Sequence, residues 1–400
     1  MSNIYLVNPS ERAILDNAGD RLPIGLLSIA SYLKSEGHEA HIVDLNHQSR
    51  SEFISQLGPM DNVGISVYTS PSYTEAVSLA QEIRGLDYCV RTIAGGHHAT
   101  HMPESLTPHF DAVVKGEGEK GMLKALNHNG VIDEGPANLD ELPNLDYTML
   151  NMDNYGMDQS GRRTGTIITS RGCPYSCGFC GKLERKVRFE PVRKVREQID
   201  EFFWKGFNGL YFLDDVFTLK SDHMKEISAH AYHKGMPFRV TTRANLVDEY
   251  KLDTLKEDGC EWLSLGIESG NDDILHKSNK GLTVLDNYNA IKMAGERGIK
   301  VKGFFILGLP GETEKTARQT IDVSKRMREV GLTTADFYYL TPFPGTPIWN
   351  FPGAFGIEIT DKDYTKYLEA GKTARCVVNT EELQASRIEE LVEEAREEWS

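Results

Sequence analysis

Residues 171–180 are Arg171-Gly172-Cys173-Pro174-Tyr175-Ser176-Cys177-Gly178-Phe179-Cys180, and they hold three of the six cysteines in the chain. Cys173, Cys177 and Cys180 are spaced as C-x3-C-x2-C after a predicted strand. Three thiolates on one loop can bind three irons of a four-iron cluster, and the fourth iron then has no protein ligand. The other three cysteines are single and distant in the sequence. The open iron is therefore a place where a substrate or a cofactor could coordinate.

A structural zinc ion is the main alternative for these cysteines. Structural zinc takes four ligands, commonly from two C-x2-C pairs, and the chain has no second pair. In a cytosolic chain, clustered cysteines indicate metal or redox chemistry and not a disulfide scaffold. The iron–sulfur interpretation is therefore favoured, and Gly172 and Gly178 suit a tight loop around a bulky cluster.

Composition excludes several classes of protein. The 400 residues are 40% hydrophobic and 26% charged, which provides enough apolar side chain to bury a core. The net charge of −15 disfavours binding to nucleic acid, because an acidic surface repels phosphates. No apolar run approaches the roughly 18–20 residues of a membrane span, and the N-terminus has the pattern of a first strand and not of a signal peptide. We therefore expect a cytoplasmic protein with no nucleic-acid or membrane partner.

Upstream of the cysteines, residues 1–135 alternate short apolar strands with helical patterns. The predicted strands are residues 4–8, 41–45, 63–68, 92–96 and 112–115. Apolar residues at helical spacing occur between strands, in residues 24–33 and 75–83. This β-α-β order predicts an α/β protein with a doubly wound, Rossmann-like parallel sheet. Residues 136–160, which are rich in Pro, Asn and Asp, form a predicted linker.

A second series of strands follows this linker. The predicted strands are residues 166–169, 209–213, 238–242, 262–266, 301–306 and 336–340. Six βα units at this spacing predict a partial TIM-like barrel, (β/α)6, over residues 161–350. Residues 351–400 form a predicted C-terminal helical extension, with an amphipathic helix near residues 381–400.

Polar residues or glycines follow several of these barrel strands. Asp214 and Asp215 follow the second strand, Arg243 the third, Glu268 the fourth and Gly308 the fifth. Barrel enzymes assemble their sites at the carboxyl ends of the strands. Each residue also has an ordinary explanation, since Asp214 could cap a helix, and Arg243 and Glu268 could form an ion pair. The ordered set is more specific than any one of its members.

Together with the cysteine loop, this set resembles the radical S-adenosylmethionine (SAM) superfamily over about residues 160–350. The resemblance implies a [4Fe–4S] cluster on the three cysteines, SAM on the open iron, and reductive cleavage of SAM to a 5′-deoxyadenosyl radical. The implied SAM contacts are Phe179 and Gly308 to the adenine, Asp214 and Asp215 to the ammonium, Arg243 to the carboxylate and Glu268 to the ribose.

Glycines and small residues also lie where the strands of the N-terminal sheet end. Because glycine has no Cβ, it lets a ligand approach the backbone amides at the carboxyl edge of an open α/β sheet. These segments resemble the cobalamin-binding domain that precedes the barrel in cobalamin-dependent radical SAM enzymes. The resemblance implies a corrinoid held by Pro23, Gly25, Ser66, Thr69, Gly95, Gly96, His97, Gly116 and Glu117.

One segment departs from that family. The common cobalamin motif is D-x-H-x-x-G, and its His coordinates cobalt. Residues 44–49 are Asp44-Leu45-Asn46-His47-Gln48-Ser49, so the His is one place late and the Gly is missing. We therefore predict base-off cobalamin without a His ligand from this segment. A metal site at His97, His98 and His101 is an alternative, but a hydrogen bond to a ligand or solvent exposure is favoured, because no carboxylate has suitable spacing.

The resemblance implies an enzyme that abstracts hydrogen from an unactivated carbon and transfers a methyl group from methylcobalamin to a small molecule. The alternatives are a non-methylating radical reaction, a radical SAM enzyme without a corrinoid, and a non-catalytic iron–sulfur electron carrier. We expect a low-potential electron donor such as flavodoxin or ferredoxin. The basic run at residues 182–196 is expected to be a solvated helix face, with docking of that donor as its alternative. Tyr338, Tyr339 and Phe343 are candidate substrate-pocket residues, with core packing as their alternative.

Overall fold

The protein's structure is a computed structural model, and it describes residues 3–10, 19–68, 70–159, 161–369, 372–373 and 375–400. The chain forms two compact units. The first contains Met1–Met157 and Asp363–Ala374, and the second contains Asp158–Lys362 and Arg375–Ser400. Each unit is built on its own parallel sheet, which confirms the predicted α/β class. The limits of the domains predicted from the sequence stay a prediction.

The first unit is a doubly wound sheet of six parallel strands. The strands are β1 (Asn3–Asn8), β2 (Glu39–Asp44), β3 (Asn62–Ser66), β4 (Arg91–Gly95), β5 (Ala112–Lys115) and β6 (Gly130–Asp133). The helices are α1 (Ile24–Ser35), α2 (Arg50–Gln56), α3 (Ser70–Arg84), α4 (His97–His101), α5 (Pro103–Leu106) and α6 (Gly118–Ala125). The strands pair in the order β2-β1-β3-β4-β5-β6. The order reverses between β1 and β3, and such a switch point creates a crevice beyond the carboxyl ends of the strands.

The second unit contains the six parallel strands of the predicted partial barrel. Its strands are β7 (Met157–Gln159), β8 (Arg162–Ile167), β9 (Ser170–Arg171), β10 (Arg188–Phe189), β11 (Gly209–Phe212), β12 (Phe238–Thr242), β13 (Cys260–Glu268), β14 (Lys300–Leu307) and β15 (Leu332–Tyr339). Its helices are α7 (Val192–Trp204), α8 (Ser221–His233), α9 (Glu249–Glu257), α10 (Asp272–Lys277), α11 (Val284–Glu296) and α12 (Glu314–Arg328). The main sheet has the order β15-β14-β13-β12-β11-β8-β7, so successive βα units are neighbours.

Side chains of the barrel strands alternate between the surrounding helices and the inner face. Val301 and Phe305 of β14 are buried on the helix side, and Phe305 stacks on Phe337 of β15 with ring centres 4.8 Å apart. A Cβ on Gly165 of β8 would lie 2.6 Å from the ring of Phe202 of α7, so only glycine lets the helix pack this closely on the strand. We call the interior of the barrel, which the side chains on the inner face of this sheet line, the lumen.

The residues after the barrel contain more than the predicted helix. They form α13 (Pro347–Asn350), β16 (Ile357–Ile359), β17 (Leu368–Glu369), β18 (Lys372–Thr373), β19 (Val378–Thr380) and α14 (Ala385–Glu397). β16 pairs with β19 in antiparallel fashion. The helix α14 confirms the predicted amphipathic helix, since Ile388, Leu391 and Val392 are buried on one of its faces.

The basic run at residues 182–196 is not a helix along its whole length, and that expectation is corrected. Its middle forms β10, which pairs with β9, and helix α7 begins only at Val192. The backbone of this segment is needed to close the cysteine loop, so it cannot form helical hydrogen bonds as well. The charge pairing is ordinary, with Arg188 2.7 Å from Glu184 and Arg193 2.7 Å from Glu197.

Candidate active site

The cysteine loop is closed at its base by the antiparallel strands β9 and β10. The N–H of Cys173 donates to the carbonyl oxygen of Glu184 at 3.0 Å, inside this closure. Gly172 has φ +93°, and a Cβ there would lie 2.6 Å from the carbonyl oxygen of Lys186. Any side chain at this position would push the two arms of the loop apart, so glycine is required.

The three cysteines are free thiols that influence one another electrostatically. Cys180 is exposed, but desolvation by the surrounding protein raises the pKa of its thiol to about 11, and the charges of Cys177 and Asp215 contribute to the increase. Burial also raises the pKa of Cys173. A thiol with a raised pKa is protonated at neutral pH, so a metal must displace the protons when it binds. Thiolates on one loop are the ligands of iron–sulfur clusters, and this donor set fits such a cluster.

Arg243 follows β12 directly and lies against the cysteine loop. Its Nη1 is 3.8 Å from Cys177 Sγ, and its guanidinium carbon lies 3.9 Å from the centre of the Tyr175 ring. Its Nε donates to Asn245 Oδ1 at 3.0 Å, and its Nη2 donates to the carbonyl oxygen of Lys280. The side chain is buried, so its positive charge acts in a medium of low dielectric constant. This guanidinium is suited to a carboxylate bound beside the loop.

Lys280 brings together three residues that the resemblance assigned to SAM. Its Nζ lies 2.7 Å from Glu268 Oε1, with both side chains 8% exposed, and its carbonyl oxygen accepts from Arg243. The same Nζ is 6.0 Å from the centre of the Phe179 ring. Glu268 has φ +67°, which is uncommon for a residue with a Cβ. A Cβ on Gly266 would lie 2.4 Å from Glu268 Oε1, so the ion pair packs on bare backbone.

The segment that follows α10 also holds the cysteine loop. The N–H of Gly178 donates to the carbonyl oxygen of Ser278 at 2.9 Å, and Asn279 Nδ2 donates to that of Ser176 at 2.7 Å. Lys280 is not predictable from the sequence, because a lysine just after a helix is common and its acidic partner is 12 residues upstream. The fold thus ties the loop, Arg243 and Glu268 together through one short segment that carries no sequence motif.

The two predicted aspartates have different surroundings. Asp214 is buried and accepts hydrogen bonds from Thr169 N–H at 3.2 Å, from Thr169 Oγ1 at 2.9 Å and from the hydroxyl of Ser170. Burial raises the pKa of Asp214 to about 6, although these hydrogen bonds oppose the increase. Asp215 instead interacts electrostatically with Cys173 and Cys180. Asp215 therefore lies near the thiols, and Asp214 anchors the strand end that leads to them.

Gly308 follows β14 in a turn that is closed by a buried glutamate. It has φ +87°, and its N–H donates to Glu312 Oε2 at 2.5 Å. Burial raises the pKa of Glu312 to about 8, and its Oε1 has no hydrogen-bond partner among the described atoms. A Cβ on Gly308 would lie 3.1 Å from Ile388 Cδ1 of α14, so the turn packs against the C-terminal helix.

The three candidate substrate-pocket residues do not form one group. Tyr338 lies on the lumen side of β15, with its ring centre 6.3 Å from that of Phe304. Tyr339 points the opposite way, and its ring centre is 5.3 Å from the guanidinium carbon of Arg396 on α14. Phe343 is half-buried in the turn before α13. Of the two tyrosines, Tyr338 faces the lumen and Tyr339 packs under the C-terminal helix.

The strand ends of the first unit form the expected glycine-lined edge. Ser66 of β3 pairs with Gly95 of β4. Gly96 has φ +103°, and a Cβ there would lie 2.9 Å from the carbonyl oxygen of Val67, which follows β3. Nothing lies within 4 Å of the Cβ position on Gly25 or Gly116, so their backbone is open. Bare backbone at the carboxyl edge beside a switch point fits a large bound cofactor.

The other residues assigned to cobalamin lie around this edge. Pro23 directly precedes α1, and His97 is the first residue of α4. Glu117 Oε2 accepts a hydrogen bond from Ala137 N–H at 2.7 Å, which fixes that carboxylate to the backbone. Thr69 lies outside the described residues.

The histidines of α4 pack among aromatic rings. Burial lowers the pKa of His98 to about 4, its Nε2 is 3.0 Å from Ser105 Oγ, and its ring centre is 4.9 Å from that of Tyr364. The ring centres of His97 and His101 are 4.6 Å apart. Among the described residues, no group of three His, Cys, Asp or Glu side chains converges on a single metal ion. The ligands of an iron–sulfur cluster do not need to converge on one ion, since each binds a different iron.

The side chains at the position of the cobalamin motif, residues 44–49, form hydrogen bonds with other groups of the first unit. Asp44 Oδ1 accepts from Asn46 Nδ2 at 2.8 Å, and Asp44 Oδ2 accepts from the hydroxyl of Tyr155 at 3.1 Å. His47 Nε2 lies 2.8 Å from the carbonyl oxygen of Gly19. The side chains of Asp44 and His47 are therefore not hydrogen-bonded to each other, as they would be in a ligand pair, and only the backbone N–H of His47 donates to the carbonyl oxygen of Asp44.

Known proteins resemble this chain in both units. The family model for the radical SAM superfamily matches residues 167–342, and the model for the B12 binding domain matches residues 13–126. An uncharacterized methyltransferase of Pyrococcus horikoshii is 32% identical, over 92% of this chain and 86% of that protein. The hopanoid C-3 methylase of Methylococcus capsulatus is 27% identical, over 86% of this chain and 70% of that protein.

Solved structures share the fold. The radical SAM methyltransferase TsrM from Kitasatospora setae, with cobalamin and a [4Fe–4S] cluster bound, has a TM-score of 0.72 at 20% identity, over 91% of this chain and 78% of that one. The cobalamin-dependent SAM radical enzyme OxsB has a TM-score of 0.69 at 18% identity, over 100% of this chain and 62% of that one. None of the described helices is both long and apolar enough to cross a membrane. The chain belongs to the radical SAM enzymes that carry an N-terminal cobalamin-binding domain, and the cofactors of that family are a [4Fe–4S] cluster, SAM and cobalamin.

Proposed function

We propose that the protein methylates an unactivated carbon of a small molecule by cobalamin-dependent radical SAM chemistry. The observation that carries the proposal is the meeting of Arg243, Glu268 and Phe179 at Lys280, beside the cysteine loop. A guanidinium, a carboxylate and an aromatic ring are the groups that would recognise the carboxylate, the ribose and the adenine of SAM. The name of the relative from Pyrococcus horikoshii supports methyl transfer as the outcome.

The residues of this chain bind and orient the reacting groups. When bound, the cluster supplies the electron that cleaves SAM, and methylcobalamin supplies the methyl group. Arg243 holds the SAM carboxylate beside the loop, and Glu268 accepts the ribose hydroxyls while Lys280 keeps its carboxylate in place. Asp215 lies near the thiols and accepts from the SAM ammonium. The burial of these charges excludes water from a reaction that water would divert.

The first unit holds cobalamin at its glycine-lined edge in this proposal. Gly95, Gly96 and Gly116 leave bare backbone at the strand ends, which a corrinoid or its nucleotide tail can approach closely. Cobalamin would be held base-off, and His47 would give cobalt no ligand, because its ring bonds to the backbone. The electron donor, a flavodoxin or a ferredoxin, and the cytoplasmic location stay predictions.

A second candidate function is a radical reaction that does not transfer methyl. It is favoured by a relative from Rubrivivax gelatinosus, named an anaerobic magnesium-protoporphyrin IX monomethyl ester cyclase, which is 27% identical over 88% of this chain. The binding residues for SAM and cobalamin would be unchanged in such an enzyme. The two candidates differ in whether the methyl group of SAM is found in the product.

The test is a reaction of the anaerobically reconstituted enzyme with cobalamin, a low-potential reductant and SAM that carries a trideuterated methyl group. The substrate source is a small-molecule extract of the cells that make the protein. The proposal expects 5′-deoxyadenosine, S-adenosylhomocysteine and a product that has gained the labelled methyl group. A product without the label identifies the second candidate. Absence of 5′-deoxyadenosine contradicts both.

A matched pair of cysteine variants controls this experiment. Cys177→Ala removes a cluster ligand and is expected to abolish 5′-deoxyadenosine formation. Cys89→Ala removes an exposed thiol of the first unit and is expected to leave it unchanged. Equal activity of the two variants would contradict the assignment of the cluster to the cysteine loop.

A further inference from the structure

The lumen of the barrel contains an arginine that the site described above does not use. Arg239 and Thr241 face the lumen, because the residues that alternate with them on β12 are buried on the helix side. The guanidinium carbon of Arg239 lies 4.2 Å from the centre of the Tyr211 ring, and its Nη2 donates to Ser264 Oγ at 3.3 Å. The ring and the hydroxyl fix the plane of the guanidinium, so its orientation is set before any ligand binds.

The guanidinium of Arg239 forms no ion pair with a described residue, and Glu261, which lines the same small cavity, is paired with Arg162. In the part of the chain that the structure describes, no carboxylate oxygen lies within 4.0 Å of it, and its Nε is buried without a hydrogen-bond partner. Two other cations of the inner face are paired, Lys302 with Asp336 and Arg162 with Glu261, each at 2.6 Å. Arg239 is half-buried, and withdrawal of its unpartnered Nε from water is unfavourable, so a bound anion would remove that cost.

A second buried group on the same row also lacks a partner. Thr166 of β8 is 2% exposed, and its Oγ1 makes no hydrogen bond to any described atom. The strand register places Thr166, Tyr211 and Arg239 side by side on three neighbouring strands. Gly165 contacts α7, so Thr166 faces the lumen. Buried polar groups are nearly always hydrogen-bonded, and two orphaned groups on either side of one ring indicate a ligand.

We propose that Arg239 and Thr166 bind an anionic group of the substrate, a carboxylate or a phosphate, an inference that rests on the proposed function. A guanidinium donates two parallel hydrogen bonds to either group, and the threonine hydroxyl donates a third. The carboxylate of SAM is the other possible source of such an anion. Arg243 lies four residues further along the chain, which puts its Cα about 13 Å from that of Arg239 at the rise of an extended strand. Arg243 also has hydrogen-bond partners of its own in Asn245 and Lys280, so we assign the two guanidinium groups to different anions.

The experiment is a calorimetric titration of the reconstituted enzyme with inorganic phosphate and, separately, with acetate, at constant ionic strength. Saturable binding is expected for the wild type and is expected to weaken about tenfold to a hundredfold in Arg239→Met. Arg239→Lys, which keeps the charge and loses the planar fork, is expected to fall between them. Lys300→Met is the matched control, because it removes an exposed positive charge near Trp262 and is expected to keep the wild-type affinity. Circular dichroism of each variant reports whether it folds.

Each outcome bears on the proposal. Equal phosphate affinity in the wild type and Arg239→Met, or no saturable binding of either anion, would overturn it. Displacement of phosphate by SAM would assign Arg239 to the SAM carboxylate and would show the substrate assignment to be wrong. If Arg239→Met does not fold, Arg239→Lys and Thr166→Val decide the question by the same titration. SAM cleavage by the wild type is measured separately, so a failure of the proposed function is distinguished from a failure of anion binding.

Discussion

Lys280 Nζ and Glu268 Oε1 form an ion pair at 2.7 Å in which each side chain is 8% exposed. Two charges that are withdrawn from water in this way lose much of their solvation, and their mutual attraction offsets the loss only while both are present. The pair lies on the bare backbone of Gly266, where the chain has no room for a side chain. In the proposed function the carboxylate of Glu268 has a further partner, the ribose of SAM.

Lys280→Met is expected to destabilise the protein by about 3–5 kcal/mol, because it leaves Glu268 buried without a counter-charge. It is also expected to weaken SAM binding. The double variant Glu268→Gln/Lys280→Met should recover much of the stability, since both charges are gone, and should not recover SAM affinity. Denaturant unfolding and a SAM titration measure the two effects. Recovery of SAM affinity in the double variant would show that Glu268 has only a structural role.

The glycine at the base of the cysteine loop provides a second prediction. Gly172→Ala is expected to lower the iron and sulfide content of the reconstituted protein, because φ +93° strains an alanine and its Cβ would meet the carbonyl oxygen of Lys186. The strain is about 1–3 kcal/mol, and the loop can relieve it only by opening. Gly353→Ala is the matched control, since nothing lies within 4 Å of its Cβ position. Full cluster content in Gly172→Ala would contradict the required closure of the loop.

The buried Glu312 predicts how stability depends on pH. Burial raises its pKa from the ordinary 4.5 to about 8 in the folded protein. Its contribution to stability is fully present below about pH 4.5, where both states hold the proton, and is lost as pH rises to about 8, because the unfolded chain releases the proton first. Glu312→Gln cannot titrate, so its stability should fall less between these pH values.

The measurement for Glu312 is the difference in free energy of unfolding between the wild type and Glu312→Gln at several pH values. Asp214, whose pKa is raised to about 6 by burial, titrates in both proteins and cancels in the difference. Between about pH 4.5 and 8 the wild type should lose free energy of unfolding relative to Glu312→Gln. Above that range the difference between the two proteins should be constant. A difference that does not change with pH would show that Glu312 is not buried as a protonated acid.

Much of the fold follows from the sequence because strands buried on both faces are short apolar runs. The predicted strand at residues 238–242 is β12 as observed, Phe238–Thr242. The strands that were not predicted lack such a run. In β6, Ile132 is the one buried residue of Gly130–Asp133, and β9 and β10 have two residues each and exist only because they close the cysteine loop. Pairing partners, and not local composition, determine strands of this kind.

The candidate site is predictable from sequence to the extent that its residues lie at strand ends. Arg243 and Glu268 lie near the cysteine loop as expected, because parallel strands end at one rim of the barrel. Lys280 could not be found, since its position depends on how the chain returns after α10. The division of roles between Asp214 and Asp215 also depends on three-dimensional packing, as neighbouring residues after a strand differ in burial.

The histidine of the divergent cobalamin motif gives the last prediction. His47 Nε2 lies 2.8 Å from the carbonyl oxygen of Gly19, and its ring meets that of Tyr155 edge-on with centres 5.1 Å apart. A histidine that binds a metal usually donates its other ring N–H to a carboxylate, but both oxygens of Asp44 are hydrogen-bonded to Asn46 and Tyr155. His47→Ala is therefore expected to leave the electron paramagnetic resonance spectrum of bound cob(II)alamin unchanged and free of nitrogen splitting. Splitting in the wild type that disappears in His47→Ala would mean that the first unit rearranges to supply this ligand, and the proposal that cobalt takes no ligand from His47 would then be wrong.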